Sequence, residues 1–227
     1  RDTDRSRGLG DVYKRQGVKI ISVYDNIVDY ILVKQGAKIN AVGTPDKPIV
    51  MTSEKEEPGA WGGIHICGKA HTNAEGGKGS SEIGGAVYGG NDDADNSGTL
   101  QYIRLEYTGF AFDEEHEANG ISFYGVGNGT IVDHCEAYKG SDDGFEFFGG
   151  SVNVSNMVVV SCSDDSFDWT EGWNGKGTDL VAYQEAKATL GYDCDCLIEA
   201  DNNENDNAAT PVSHPVLKNL ILAGNGE

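Results

Sequence analysis

Short segments in which apolar and polar residues alternate recur along the whole chain, and most of them end in a turn of glycine, asparagine or aspartate. Segments of about four to six residues that are rich in valine, isoleucine and tyrosine are typical of β-strands. Few windows show the i, i+3, i+4, i+7 spacing of an amphipathic helix, so the pattern predicts an all-β chain. The clearest predicted strands are Pro48–Thr52, Gly63–Cys67, Leu100–Leu105, Gly120–Phe123, Val152–Val154, Met157–Val160, Leu180–Tyr183 and Leu217–Leu222.

One internal repeat indicates how these strands are arranged. Ser141–Phe147 and Ser163–Trp169 lie 22 residues apart and agree in residue class at almost every position. A period of about 20–50 residues is typical of stacked architectures, and short strands without helices favour a single-stranded parallel β-helix, a solenoid. The acidic, glycine-rich stretches 71–98 and 201–211 are predicted to be loops inserted into its turns. A jelly roll or β-sandwich is the alternative architecture.

The N-terminal segment differs from the rest of the chain. Residues 6–16, SRGLGDVYKRQ, resemble the translation of an adapter used in transposon-based sequencing libraries. We therefore predict that residues 1–16 are not native and that residues 17–227 form the β-helix domain, truncated at both ends.

Charge and hydropathy exclude two classes of function. The chain has 37 acidic and 17 basic side chains and a formal net charge of −20, which argues against nucleic-acid binding because that needs a clustered positive surface. No window approaches the roughly 18 apolar residues of a transmembrane helix. We expect a monomer.

An acidic motif in each copy of the repeat provides the strongest candidate for a metal site. If the 22-residue offset is one coil, Asp142 stacks on Asp164, Asp143 on Asp165 and Glu146 on Asp168. Carboxylates about 5 Å apart repel each other by roughly 3 kcal/mol at an effective dielectric constant near 20. Since flexible loops of oxygen donors suit Ca²⁺, these six residues are predicted to bind calcium. The alternative is an acidic turn exposed to water.

Aromatic residues are interleaved with these carboxylates. Phe145 and Phe167 occupy equivalent positions and are predicted to stack in the core. Phe147, Trp169 and Trp173 are the candidate ligand-binding residues, because flat aromatic faces at a surface suit sugar rings. Packing of these rings in the core is the alternative.

The five cysteines show no spacing typical of zinc sites. Cys67 and Cys135 lie in strands of alternating polarity and are predicted to be small core residues. The odd number of cysteines leaves disulfide pairing undetermined.

Several stretches together resemble a family of exported bacterial right-handed parallel β-helix proteins with a pectin-lyase-like fold. The resemblance extends from about Ile31 to Gly226 and no single motif carries it. It implies a right-handed helix and export to the outer-membrane surface or the extracellular space, in some relatives as a lipoprotein, and it implies no established reaction. The stretches are Gly36–Ile39, Pro48–Ser53, Trp61–Ile64, Asn96–Leu100, Gly125–Thr130, Asp142–Glu146, Asp165–Asp168, Ile198–Asn202 and Ala209–Pro211.

Two functions follow from these observations. The first is a non-catalytic surface module, stabilised by a cation, that binds a glycan or a surface protein. The alternative is a carbohydrate-active enzyme, a polysaccharide lyase or glycoside hydrolase, because enzymes of both kinds use a pectin-lyase-like fold. Between Thr130 and Asp179 the only basic side chains are Lys139 and Lys176, which disfavours a lyase, and fold alone does not establish a reaction.

Overall fold

The computed structural model describes residues 12–14, 16–25, 27–113 and 116–226. Regular structure in these ranges is almost entirely β-strand, apart from a 3-10 turn at Glu75–Gly77 and the four-residue helix α1 (Lys187–Leu190). In chain order the strands are β1 (Val12–Lys14), β2 (Lys19–Ser22), β3 (Ile31–Val33), β4 (Ile39–Val42), β5 (Ile49–Ser53), β6 (Ile64–Cys67), β7 (Gly79–Ser80), β8 (Val87–Tyr88), β9 (Gly98–Glu106), β10 (Ile121–Tyr124), β11 (Ile131–Tyr138), β12 (Phe145–Phe148), β13 (Asn153–Val160), β14 (Phe167–Thr170), β15 (Lys176–Tyr183) and β16 (Val216–Ala223).

Two parallel sheets contain most of these strands. The larger has the order β1-β4-β9-β11-β13-β15-β16, with β2 and β5 joined to it through β9, and the smaller has the order β3-β6-β10-β12-β14. The chain passes from one sheet to the other and returns one position further along, so that each circuit is one coil. The predicted right-handed parallel β-helix is confirmed. The jelly roll and the sandwich are excluded because these folds pair their strands antiparallel.

A column of left-handed residues bends the long strands of the larger sheet. Tyr102, His134, Asn156, Asp179 and Asn219 have φ between 52° and 58° and lie in the middle of β9, β11, β13, β15 and β16. The sequence pattern predicted Val152–Val154 and Met157–Val160 as two strands. The structure has one strand, β13, which begins at Asn153 and contains both segments except Val152, on either side of Asn156. These bends divide the larger sheet into two faces, and the smaller sheet is the third face of each coil.

Alternation along the smaller sheet positions the candidate site. Its parallel register aligns Ile64, Ile121, Phe145 and Phe167, which are at most 2% exposed and face the core. The next residue of each strand faces away from the core, because successive side chains of a strand point to opposite sides. That outward column contains His65, Ser122, Glu146 and Asp168.

The two acidic stretches lie where insertions were predicted. Residues 71–97 lie in the connection from β6 to β9 and include the antiparallel pair of β7 and β8. Residues 201–211 contain no strand and lie in the connection from β15 to β16, after α1. No helix among the described residues is long and apolar enough to cross a membrane. Residues 1–11 and 15 lie outside the described ranges, so the assignment of residues 1–16 as non-native stays a prediction.

The predicted core positions of two cysteines are confirmed: Cys67 and Cys135 are 0% and 1% exposed. Cys162 and Cys194 are also buried, and Cys196 is exposed. Asp165, with a contribution from Asp195, raises the pKa of the Cys196 thiol to about 11, which makes the thiolate scarce at neutral pH.

We expect an aromatic disulfide reagent at mild alkaline pH to modify one thiol slowly in the folded protein. Unfolding in urea should expose the remaining thiols to the reagent, because four of the five are shielded by packing. Cys196→Ser should abolish the reaction of the folded protein and leave its melting temperature unchanged. Rapid reaction of several thiols before unfolding would contradict this placement.

Candidate functional site: an acidic pocket on the smaller sheet

The register of β12 and β14 brings the two acidic motifs together. The strands pair in parallel with Phe145 opposite Phe167 and Glu146 opposite Asp168, so the 22-residue offset is one coil, as predicted. Ahead of the strands, the backbone N–H of Asp165 donates a hydrogen bond to Asp143 Oδ1 at 2.9 Å. The two motifs therefore lie on adjacent coils with their carboxyl groups side by side.

A third acidic segment, which sequence analysis missed, continues the stack. The N–H of Glu199 donates to the Phe167 carbonyl oxygen at 3.0 Å, and the N–H of Cys196 donates to Asp165 Oδ1 at 2.7 Å. These contacts align Glu199 with Asp168 and Asp195 with Asp164, at an offset of 31 residues. All three segments have two acidic residues four positions apart, and this spacing could have revealed the third segment in the sequence. The pairs are Asp142 and Glu146, Asp164 and Asp168, and Asp195 and Glu199.

Carboxyl groups from several parts of the chain enclose a pocket of about 210 Å³. The inserted loop 71–97 contributes Glu82, and the segment before β10 contributes Glu117. We call this site the acidic pocket. It is lined by Glu82, Glu117, Asp142, Asp143, Glu146, Asp164, Asp168 and Glu199.

The residues that line the acidic pocket include no lysine, arginine or histidine. The charge of His116 acts on Glu82 and lowers its pKa, but it is outweighed by the effect of burial. Two neutral side chains donate to it: Asn119 Nδ2 to Glu146 Oε2 at 2.6 Å, and the Tyr124 hydroxyl to Glu82 Oε2 at 2.8 Å. Asp168 Oδ1 is buried and accepts from no N–H or hydroxyl donor of the described residues. The neighbouring Glu146 carboxyl group can hydrogen-bond to Asp168 only while one of the two holds a proton. A buried acceptor without a partner is costly, so the pocket is incomplete as a set of hydrogen bonds.

Burial and mutual repulsion favour the protonated forms of these groups. Burial, with contributions from Glu117 and Asp164, raises the pKa of Asp142 to about 8. Burial and the charge of Asp143 raise the pKa of Glu146 well above its ordinary value, and burial raises the pKa of Asp168 to about 6. The pocket therefore holds protons at neutral pH unless a cation replaces them.

Four overlapping sets of carboxylates among the described residues have the spacing needed to hold a metal ion. In each set one oxygen of every residue lies within 4.8 Å of the others. All donors are hard oxygen atoms, which suits Ca²⁺ or Mg²⁺ rather than zinc or copper. All six residues predicted as calcium ligands take part in these sets: Glu117, Asp142 and Asp164; Asp143, Glu146 and Asp168; Asp143, Asp164 and Asp165; Asp165, Asp168 and Glu199.

The aromatic residues lie mainly in the core. Phe145 and Phe167 stack there, with ring centroids 5.9 Å apart, as predicted. Surface positions for Phe147 and Trp173 are wrong: each is 1% exposed, and their rings stack on each other at 4.1 Å. Both rings lie inside the core, so neighbouring side chains cover the ring faces that a sugar would contact. Trp169 is partly buried and remains accessible.

Comparison with known proteins identifies the architecture and no reaction. The model of a family described as a pectate-lyase-like β-helix domain matches residues 11–227. No curated protein matches the chain.

Proposed function

Since the chain belongs to the pectate-lyase-like β-helix family, we propose that it is a non-catalytic binding module whose acidic pocket binds Ca²⁺. The observation that carries this proposal is the pocket itself: eight carboxyl groups converge with no basic side chain among the residues that line it, and the buried Asp168 Oδ1 accepts from no N–H or hydroxyl donor of the described residues. Export to the outer-membrane surface or the extracellular space is part of the proposal and rests on the resemblance to exported β-helix proteins.

The electrostatics of the pocket favour a divalent cation. Two carboxylates about 5 Å apart repel by roughly 3 kcal/mol when both are ionised. Oxygen atoms of several carboxyl pairs in this pocket lie within 4.8 Å of each other. A cation between them replaces repulsion with attraction and supplies the partner that Asp168 Oδ1 lacks. Calcium accepts six to eight oxygen ligands in irregular geometry, whereas Mg²⁺ demands a tight octahedron that carboxylates on three successive coils do not readily form.

One observation favours the enzymatic alternative. Within the pocket, Asp142 has a pKa of about 8 and Asp168 of about 6, so a proton donor and an ionised carboxylate coexist near neutral pH. Glycoside hydrolases use such pairs. A lyase is disfavoured because no basic side chain lines the pocket to remove a proton from a uronate.

Glycan degradation distinguishes the two candidates. The protein is incubated with a panel of neutral and acidic glycans, and reducing ends and unsaturated uronate absorbance are measured. We expect no product. If the protein releases product and Asp142→Asn abolishes this activity, the protein is an enzyme and the proposal of a non-catalytic module is wrong.

Calcium should raise the melting temperature of the protein, and a chelator should lower it. A ligand that binds only the folded state stabilises it by about 2.7 kcal/mol at a hundredfold excess over its Kd. Asp142→Asn combined with Asp164→Asn should stabilise the calcium-free protein, because it removes repulsion, and should abolish the response to calcium. Magnesium should have a much smaller effect.

A matched pair of substitutions controls for the change in net charge. Glu54→Gln combined with Asp92→Asn removes two exposed carboxylates that do not line the pocket and should retain the full calcium response. The absence of calcium binding in calorimetry at millimolar concentration, together with a melt unchanged by chelator, would refute the calcium site.

A further inference from the structure

The inserted loop 71–97 contains a hairpin that lies on the outward side of the smaller sheet. Strands β7 and β8 pair antiparallel in this hairpin, and Glu82 lies in the connection between them. One side of the hairpin is packed against the rest of the protein, because Ile83 and Tyr88 are only 2% and 3% exposed. We call residues 78–88 the lid.

The lid covers an apolar patch at the ends of three neighbouring strands. Cys67, Tyr124 and Phe148 are aligned in register on β6, β10 and β12, at positions that face away from the core. Ala86 and Tyr88 of the lid join them in one hydrophobic cluster, in which the Tyr88 and Tyr124 ring centroids are 5.2 Å apart. The three strand residues are buried on the outer side of the solenoid because the lid excludes water from them.

Glycines at both ends of the lid allow it to move as a unit. Within the part of the chain that the structure describes, no backbone hydrogen bond joins residues 78–88 to another segment. Gly76 and Gly77 precede the lid with φ of 71° and 68°, and Gly89 follows it with φ of 89°. Since glycine adopts either sign of φ without steric cost, rotation at these residues can displace the lid while the hydrogen bonds of the two parallel sheets remain.

Two tyrosine hydroxyl groups hold the lid in its closed position, and both donate to carboxylates. Tyr124 of the smaller sheet donates to Glu82 Oε2 of the lid at 2.8 Å. Tyr88 of the lid donates to Glu171 Oε2, in the turn after β14, at 2.8 Å. Side-chain contacts of this kind are replaced by water when a segment opens locally, so the closed and open positions differ by much less free energy than the folded and unfolded states.

The charge of Glu82 connects the lid to the acidic pocket, which it lines. The charges of Glu171 and Asp168 repel that of Glu82, and a protonated His116 offsets part of this repulsion. A cation in the pocket attracts Glu82 instead, but only while the lid is closed. A ligand shifts a conformational equilibrium towards the state to which it binds more tightly, so a bound cation favours the closed lid.

We propose that calcium in the acidic pocket controls the lid. The bound cation holds the lid closed through Glu82, and removal of the cation lets the lid open and uncover the apolar patch of Cys67, Tyr124 and Phe148. This inference rests on the proposed calcium site and adds a conformational response to it. The calcium-free protein thereby offers an apolar surface that the calcium-bound protein conceals.

The Cys67 thiol reports the position of the lid. It is 0% exposed, and its Sγ lies 3.9 Å from the Ala86 carbonyl oxygen of the lid. The test is labelling with N-ethylmaleimide at one fixed pH, in saturating calcium or in chelator, with the labelled peptides identified by mass spectrometry. Cys135 is the internal control, because it is 1% exposed in the core and becomes accessible only on global unfolding.

Chelation should raise the ratio of Cys67 to Cys135 labelling at least about fivefold, the lower end of the usual coupling between two sites. The ratio separates local opening of the lid from a general loss of stability, since global unfolding exposes both thiols. Tyr124→Phe keeps the ring and removes the hydroxyl group that donates to Glu82, so it should raise the ratio even in calcium.

Glu82→Gln removes the charge through which the cation acts on the lid. Its labelling ratio should be the same with and without calcium, while calorimetry still detects weaker calcium binding by the other carboxyl groups. Glu75→Gln is the matched control, since it removes an exposed carboxylate of the same loop that does not line the pocket and should behave as the wild type.

Calorimetry on the same samples distinguishes this inference from the proposed function. Calcium binding with an unchanged labelling ratio would refute the lid and leave the calcium site intact. An equal response of the wild type and Glu82→Gln to calcium would likewise overturn the inference, because the lid would then not act through Glu82. The absence of calcium binding would refute the calcium site, and the control of the lid with it.

Discussion

In the presence of a chelator, the protein will become less stable as the pH rises from about 6.5 to about 8.5, a range in which ordinary carboxyl groups are fully ionised. Burial, first among the causes, raises the pKa of Asp142 and of Asp165 to about 8 and that of Glu82 to about 7. The folded protein therefore retains protons that the unfolded chain has already released. Stability must then fall with increasing pH until the raised pKa values are passed.

The size of the effect follows from the number of protons lost. Each proton held only by the folded state changes the free energy of unfolding by about 1.4 kcal/mol per pH unit, so one to two protons over this range correspond to a loss on the order of 3–5 kcal/mol. His65 makes stability rise with pH instead, because burial lowers its pKa to about 4 and only the unfolded chain binds its proton between pH 4 and 6.5. Above the ordinary histidine pKa of about 6.5 the imidazole is neutral in both states, so His65 adds no further pH dependence in the range considered.

Thermal and urea unfolding across this pH range, with and without calcium, measure the effect. Saturating calcium should flatten the dependence, since a bound cation holds the carboxylates in their ionised form. Asp142→Asn combined with Asp164→Asn should make the dependence shallower in chelator, because the Asp142 proton is then absent while Asp165 and Glu82 still titrate. A chelated protein whose stability rises through the same range would show that these carboxyl groups are already ionised in the folded state.

The part of the fold that repeats locally was predictable. Strand alternation and the 22-residue repeat identify Phe145 over Phe167 and Glu146 beside Asp168, because equal spacing along a solenoid becomes stacking in space. The third acidic segment was missed because the insertion that contains α1 lengthens that coil to 31 residues. In the sequence, only the four-residue spacing of Asp195 and Glu199 indicates that this segment belongs to the same stack.

Contacts made by inserted segments were beyond sequence reasoning. Glu82 reaches the acidic pocket from the loop 71–97, where the Tyr124 hydroxyl donates to it, and the spacing of the chain does not encode this contact. Trp173 follows β14 in a turn, where alternation no longer indicates which side a residue faces. Its burial is decided by the space beside Phe147. Period and alternation therefore identify the coils, while the long-range contacts that complete each site depend on insertions.

Phe147→Ala will destabilise the protein by about 3–5 kcal/mol, the cost of deleting a large aromatic side chain from a packed core. Phe147 is 1% exposed and lies between two parallel rings, with centroids 5.0 Å from Phe123 and 4.1 Å from Trp173. Its neighbours are held by the stacked coils above and below, so they can close little of the cavity that alanine would leave. Urea unfolding of the calcium-loaded protein measures the loss.

Phe112→Ala is the matched control, because it deletes the same side chain from a position that is 43% exposed and should cost no more than about 1 kcal/mol. The two variants separate a core role for Phe147 from the ligand-binding role predicted from the sequence. A loss of stability for Phe147→Ala no larger than that for Phe112→Ala would contradict the stacking of Phe147 on Trp173.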